Sequence, residues 1–545
     1  LTFIDDRYRR ILFWVILVGA VLRIVGLNWD AGRGLHPDEG NLIRAALTLG
    51  VDGRFLPEFH AYNDLALWLP RLLAVPFCAS DDAGCLTLVA RFVSAMMSLA
   101  MIPLGAALAH RFAGSVAGLA AALAIATSGQ LVQWAHFGTT ESTIAMLVLL
   151  MWWLVARWQD GEINNQQIAV WAAMAIGIGF GFKTTAAVLV IIPVTAFVLA
   201  GWPDRARLRM AVVFTAIAVM EAVVFAPSVV FATRDWLAVM QFENGVVTGT
   251  VPVFWTAQFH GATNVIYELR QLWSLTSGAG LLLALAGLAL LPRARWRVVL
   301  PGLAFALVYA ALTFGWHAKF IRYLAPILPV VLVLAGVAVG RLATLAYGRT
   351  ALVASLAGVA LMVLAGVDSA AAYLRPDPRI ALEAQLVALS DPNDIIAIEP
   401  RDLPQLGGRR QVVVPVGDPG LSPRRIANPL ATAEWLIIAS RRNFEVLPRQ
   451  PGAPDLLCAY YAGLADGSLG YVPVRRVNRN GPFGHLFAPD LEAEETRAVF
   501  DRPEVYLFRN IDHLSESAII TALAAPHDAA ACQAEALQTV WRRGP

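Results

Sequence analysis

The run ILFWVILVGAVLRIVGL occupies residues 11–27, and GLHPDEGN follows at residues 34–41. The first is long and apolar enough for one bilayer crossing. The second places two adjacent carboxylates, Asp38 and Glu39, just beyond its end. Asp5, Asp6, Arg7, Tyr8, Arg9 and Arg10 precede the run, a basic flank that signal peptides and first spans share. No small-x-small cleavage site follows it, so it reads as an uncleaved anchor. The positive-inside rule then puts Arg7, Arg9 and Arg10 in the cytosol and the His36 stretch on the opposite side.

Composition extends this reading to the whole chain. Of 545 residues, 57% are hydrophobic and 15% charged, and the mean hydropathy is +0.59. Such a chain is too apolar for one soluble domain and reads as a polytopic α-helical membrane protein. A net charge of +2 gives no basic surface for nucleic acid, which leaves membrane lipids as the first partners. Clear spans are expected at 88–108, 115–131, 142–156, 209–231, 276–291, 298–315, 321–339 and 350–368.

The segment Ile168 to Trp202 would measure about 50 Å as one helix, against a hydrocarbon core near 30 Å. It is expected to break around Gly181-Phe182-Lys183-Thr184. With that break the chain makes about eleven crossings and nearly every arginine-rich loop falls in the cytosol. In the first external loop, Leu42, Ile43, Ala46 and Leu49 recur at helical spacing, and Leu65 to Phe77 is too short to span. The first reads as an interfacial helix and the second as an interfacial or re-entrant one.

After Asp368 the composition shifts to Pro, Asp, Arg and Gly. β-rich runs appear at Asp394–Ile398, Gln411–Val416, Trp435–Ala439 and Val505–Arg509, and helical ones at Arg379–Leu389 and Ala518–Trp541. The expected organisation is a membrane domain over residues 1–375 and a soluble α/β domain over 376–545, outside the cytosol. Cys78 and Cys85, and Cys458 and Cys532, also fall outside, where disulfides form.

Locally, Pro37-Asp38-Glu39 is sound helix-start chemistry, because carboxylates suit the positive end of a helix. Placement beside a membrane supports a catalytic reading equally well. Lys319 and Arg322 lie in an external loop against the usual charge bias, and Lys183 sits at the expected break on the same side. Snorkelling explains such charges as readily as ligand binding does. Glu141 follows Thr139-Thr140 and also fits a helix start.

Four stretches resemble the GT-C superfamily, in particular its phospholipid-carrier-dependent group of protein O-mannosyltransferases and lipid A aminoarabinose transferases. They are His36-Pro37-Asp38-Glu39, Gln133-Trp134-Ala135-His136-Phe137-Gly138-Thr139-Thr140-Glu141, Gly179-Phe180-Gly181-Phe182-Lys183-Thr184-Thr185-Ala186 and Arg322-Tyr323-Leu324-Ala325-Pro326-Ile327-Leu328-Pro329. The resemblance implies a GT-C fold and an inverting transfer of one sugar from a polyprenyl-phosphate donor to a hydroxyl of a lipid, glycan or protein.

In these terms Asp38 is the first candidate for the base and Glu39 the second, with Glu141 orienting substrate. Arg322, Lys183 and Lys319 are the candidate phosphate ligands. His36, His60, Tyr62 and His136 are candidates for lining the substrate site, and His36 with Asp38 for holding a divalent metal. No other cofactor is implied. Tyr62-Asn63-Asp64 departs from the family's proline-containing pattern, and the Trp-Trp-Asp signature of oligosaccharyltransferases is missing. Two lysines against 40 arginines suit a GC-rich bacterial source, hence a bacterial cytoplasmic membrane. A transporter or lipid-handling protein is the rival reading, with Lys183 and Glu141 as gating charges.

Overall fold

The computed structural model describes residues 6–201, 205–262, 264–345, 349–401, 406–449, 455–479 and 494–525. They pack as two units. One runs to Val247 and resumes as far as Leu374; the other comprises Thr248–Ala262 and the described residues from Arg375 onward. The short segment Thr248–Ala262, expected with the membrane part, thus packs with the second unit.

The first unit is helical. In chain order it contains α1 (Asp6–Ile24), α2 (Pro37–Leu47), α3 (Leu65–Ala74), α4 (Ala83–Ala113), α5 (Ser115–Ala126), α6 (Gly129–Ala135), α7 (Glu141–Gln159), α8 (Asn165–Phe182) and α9 (Ile191–Leu199). Then come α10 (Arg205–Phe225), α11 (Ser228–Phe231), α12 (Thr233–Thr248), α13 (Asn264–Leu275), α14 (Ala279–Ala289), α15 (Trp296–Phe314), α16 (Leu328–Thr344) and α17 (Arg349–Ala371).

Among the described residues five helices are long and apolar enough to cross a membrane, or up to seven if each bent pair counts as one span, where about eleven crossings are expected from the sequence. Hydropathy counts apolar residues without seeing where a helix stops: α5 and α6 are bent by 55°, α13 and α14 by 100°, and α9 has nine residues. The expected break after Gly181 is present, since α8 ends at Phe182 and Lys183 is extended. The outward side chains of α10 include Val212, Val219 and Val224, a face suited to lipid rather than water.

Small residues set the closest helix approaches, as they do in membranes. Gly336 and Gly340 of α16 face Ala121 and Ala117 of α5, and a Cβ at Gly336 would lie 2.7 Å from the Ala117 carbonyl oxygen. At the α5–α6 bend, the buried Arg23 of α1 donates to the carbonyls of Ile125 and Ala126 at 2.9 and 2.8 Å. These are the last carbonyls of α5, which its own helix leaves unpaired. Of the possible disulfides, Cys78 and Cys85 form one, which ties the loop after α3 to the first turn of α4.

The second unit is built on a five-stranded sheet in the order β2-β1-β3-β5-β4. The strands are β1 (Ile395–Ile398), β2 (Arg410–Val413), β3 (Trp435–Ile438), β4 (Tyr471–Val477) and β5 (Val505–Asn510). β1 is parallel to β2 and β3, whereas β5 is antiparallel to β3 and β4. Alternation along β3 and β5 feeds two cores. Leu436, Ile438, Tyr506 and Phe508 face α19 (Pro423–Thr432), and Trp435, Ile437, Val505 and Leu507 face α18 (Pro378–Leu389).

Four strands lie where the sequence predicts them. β4 was not expected, because Pro473, Arg475 and Arg476 hide it; a proline is tolerated on this edge strand beside its bulge. The helix expected at Ala518–Trp541 is present as Glu516–Leu523 and stops there, with Ala524 and Ala525 in a turn; the rest of the expected stretch lies outside the described residues, as does Cys532 of the second cysteine pair.

Just after β1, Glu399 is buried and accepts hydrogen bonds from Asn443, Tyr460 and Tyr461 at 3.1, 3.0 and 3.2 Å. Burial raises its carboxyl to about 7, although these donors oppose the shift. A folded-state value above the unfolded one stabilises at low pH and loses that contribution as pH rises through about 7. Glu399→Gln is expected to flatten the pH dependence of stability between about pH 5 and 7, checked by chemical denaturation of the full chain. In the first unit, Gly336→Leu is expected to lower the thermal midpoint in detergent by several degrees, since overpacking costs about 1–3 kcal/mol.

Candidate active site

Helix α2 starts at Pro37, and the Glu39 N–H donates to Nδ1 of the capping His36 at 3.3 Å. Its apolar face, Leu42, Ile43 and Ala46, packs on Leu67 and Ala74 of α3 and on Leu86 and Ala90 of α4. With that face fixed, the two adjacent carboxylates point in different directions, about 100° apart around the helix axis.

Glu39 turns inward. Its oxygens accept from Arg91 of α4 at 2.9 and 2.7 Å and from the Gly138 N–H. The same guanidinium donates to both oxygens of Asp30 at 2.9 and 3.0 Å and to the Leu27 carbonyl, and it lies 4.6 Å from the centre of the Trp29 ring. Burial tends to raise the Asp30 carboxyl, but Arg91 and the backbone donors of Leu35 and Gly32 hold it below its usual range. Glu39 is only 1% exposed. Glu39, expected as a second candidate base, thus has both oxygens engaged by Arg91 and Gly138 and faces away from the Asp38 side of α2.

Asp38 turns outward and forms an ion pair with Arg322, which lies on the short turn Ile321–Leu324 before α16. The Arg322 guanidinium also covers the Phe320 ring at 4.8 Å. Beside it, Lys183 Nζ lies 3.5 Å from Glu141 Oε1 and 5.5 Å from the centre of the Tyr62 ring. Glu141, Lys183 and Arg322 line one small recess with Tyr309, Trp316 and Tyr323. Burial, reinforced by Asp38 and Glu141, pushes the Tyr62 hydroxyl well above its usual range, so it stays a neutral hydrogen-bonding group.

The helix break that exposes Lys183 is held from the first loop. Asn63 donates to the carbonyls of Phe180 and Phe182, at 2.5 and 3.3 Å, and accepts from Trp236 of α12 at 3.0 Å. Asp64 accepts from the N–H and hydroxyl of Ser228. Gly181 lets α10 and α3 approach: a Cβ there would lie 2.5 Å from that of Phe225 and 3.0 Å from that of Leu65.

The structure thus brings together Asp38, Tyr62, Glu141, Lys183 and Arg322 of the predicted site. It does not bring in the others. Lys319 is buried, donates to the Trp316 carbonyl and has Glu268 as its charge partner; burial lowers its ammonium despite that partner. His136 is enclosed, with its ring nitrogens 2.8 and 2.9 Å from the carbonyls of Val132 and Val25 and its ring stacked on Tyr373. This is a core position, which corrects its expected place in the substrate site.

His36 caps α2 and packs edge-on against Phe137, 4.5 Å between ring centres, and burial lowers its imidazole although Glu39 and Asp38 oppose this. His60 is buried, and no hydrogen bond joins it to the recess among the described residues. No group of three or more metal-ligating side chains occurs among the described residues. His36 and Asp38, engaged with Glu39 and Arg322, do not assemble a donor set for a divalent ion.

Sequence reasoning missed Arg91, Asn63 and Glu243. Glu243 of α12 interacts electrostatically with Arg322, Lys183 and Asp38. An arginine inside a strongly apolar stretch is itself a signal, since such charges are paired.

Residues 83–231 match the family described as dolichyl-phosphate-mannose-protein mannosyltransferase. The membrane unit has a GT-C-like fold. An oligosaccharyltransferase from Archaeoglobus fulgidus, in its apo form, superposes with a TM-score of 0.51 at 14% identity, covering 84% of this chain and 73% of its own. ArnT from Cupriavidus metallidurans, solved bound to undecaprenyl phosphate, gives a TM-score of 0.46 at 16% identity, covering 94% of this chain and 99% of its own. No curated protein matches the chain.

Arg91→Met is expected to cost about 3–5 kcal/mol, because it leaves Asp30 and Glu39 buried without their cation. The measurement is thermal unfolding in detergent. Glu39→Gln, which keeps hydrogen-bonding capacity, is expected to cost less, and an equal loss in both variants would contradict the arrangement.

Proposed function

We propose that this membrane glycosyltransferase moves a single sugar, with inversion, from a polyprenyl-phosphate donor to an acceptor hydroxyl at the outer face of a bacterial cytoplasmic membrane. The observation that carries the reading is the Asp38–Arg322 ion pair beside the Glu141–Lys183 pair. A recess lined by two cations suited to a phosphate then has beside it, paired with one of them, an acid suited to a hydroxyl proton. The family match over residues 83–231 supports a lipid-phosphate donor. The acceptor class, whether lipid, glycan or protein, stays open in this reading.

The chemistry follows from the contacts. In the resting cleft Arg322 neutralises Asp38. A donor phosphate competes for Arg322 and Lys183, and as it takes Arg322 it frees the carboxylate. Asp38 then accepts the acceptor's proton as the hydroxyl oxygen bonds to the anomeric carbon from the side opposite the phosphate. The sugar–phosphate bond breaks, its electron pair stays on phosphate oxygen, and Arg322 and Lys183 stabilise the charge that develops there. Phosphate is a good leaving group, so no second acid of the glycosidase type is needed. Tyr62 and Glu141 orient substrate.

In this reading each bent pair is one crossing and α1, α8, α9 and α16 supply four more beside those seven, which gives the eleven and puts the second unit outside the cytosol. The test is a transfer assay with labelled polyprenyl-phosphate sugars. Asp38→Asn is expected to lose at least about 100-fold in kcat, in line with removal of a general base. Arg322→Ala and Lys183→Ala are expected to lose about 100-fold or more in kcat/KM. Full transfer by Asp38→Asn would remove the base assignment, and solute uptake without transfer would favour a transporter.

A further inference from the structure

Three contacts orient α12 against the cleft. Trp236 donates to Asn63 at 3.0 Å, and the Thr184 hydroxyl lies 3.6 Å from the Met240 sulfur. The backbone N–H groups of His317 and Ala318 donate to the Val247 carbonyl at 2.8 and 3.1 Å. Residues 236, 240, 243 and 247 share one helix face. Glu243 therefore sits on the face turned toward the Lys183 break and the loop before Arg322. It is half-buried, and among the described residues no hydrogen bond or ion pair engages its carboxyl.

We propose that Glu243 touches the substrate directly, donating a hydrogen bond from its carboxyl to a phosphate oxygen of the lipid-linked donor. This rests on the donor reading given above. The charges facing it are Arg322, Lys183 and Asp38, with Tyr62 also in electrostatic range. Asp38 is paired with Arg322 and Glu141 with Lys183, so Glu243 is the acid of the cleft with neither cation at contact distance. A phosphodiester engaging both cations brings a further negative charge, which an ionised Glu243 would repel and a protonated one would bind. Burial already raises the Glu243 carboxyl, Asp38 adds to this, and Arg322 and Lys183 oppose it. Phosphate held by those two cations weakens their opposition.

The experiment measures binding of undecaprenyl phosphate to the purified full chain in nanodiscs between about pH 5.5 and 8.5, with transfer measured in parallel. Glu243→Gln keeps a donor without a titrating proton, and Glu243→Ala removes the donor. At low pH, Glu243→Gln is expected to bind within about threefold of wild type and Glu243→Ala about tenfold or more weaker, the loss of one hydrogen bond to a charged group. As pH rises, wild type is expected to weaken relative to Glu243→Gln; taking this ratio cancels the ligand's own titration.

Three results overturn the proposal: Glu243→Ala binding like wild type, Glu243→Gln losing as much as Glu243→Ala at low pH, or a wild-type to Glu243→Gln ratio that does not change with pH. Wild-type protein that neither binds undecaprenyl phosphate nor transfers sugar would overturn the donor reading as well. The two failures are thereby distinguished.

Discussion

A guanidinium buried in an apolar helix cannot be left alone, and Arg91 of α4 satisfies it with two carboxylates from the first loop, Asp30 and Glu39. The Leu27 carbonyl and the Trp29 ring complete its surroundings. Removing either acid would strand charge in a low-dielectric setting, so the first loop has little freedom over α4. Once Glu39 is anchored, the helix geometry of α2 decides where Asp38 points. The Gly138 N–H on Glu39 brings in the second loop, from which α7 starts with Glu141. A Cβ at Gly138 would lie 2.8 Å from that of Ala90, so only a glycine-sized residue lets that loop come this close.

Arg23 shows the other way to bury an arginine. It has neutral partners, the Ser98 hydroxyl and the carbonyls of Gly19, Ile125 and Ala126. The carbonyls of Ile125 and Ala126 belong to a helix end, where the partial negative charge of the backbone favours a cation. Arg91 registers a loop on a span, whereas Arg23 registers a span on a bend.

Much of this was readable in the sequence. The break at Lys183 followed from length against bilayer thickness, α2 from its apolar spacing, and four of the five strands from β-rich runs bounded by turn residues. What escaped was three-dimensional. Asp38 and Glu39 are neighbours with the same chemistry, and their division of labour depends on Arg91, 52 residues away in the chain. Lys319 and Arg322 are three residues apart, yet Lys319 is drawn toward the buried Glu268 while Arg322 faces Asp38. Glu243 carries no local mark at all; its place depends on how α12 packs. What the sequence does not show is where bends divide apolar segments into shorter pieces, as at α5–α6 and α13–α14.

Asn63 joins two parts of the cleft that are far apart in the chain. Its side chain and N–H hold the carbonyls at the end of α8, immediately before Lys183, and its neighbour Tyr62 lies under the Lys183 ammonium. The loop that carries the acid and the helix end that carries a cation are thereby mechanically linked. A ligand that pulls on Lys183 also pulls on the loop that carries Asp38. For the reaction proposed above, two substrates meeting across such a link do not bind independently, and its kinetic expression is a compulsory order, with the anionic partner entering first.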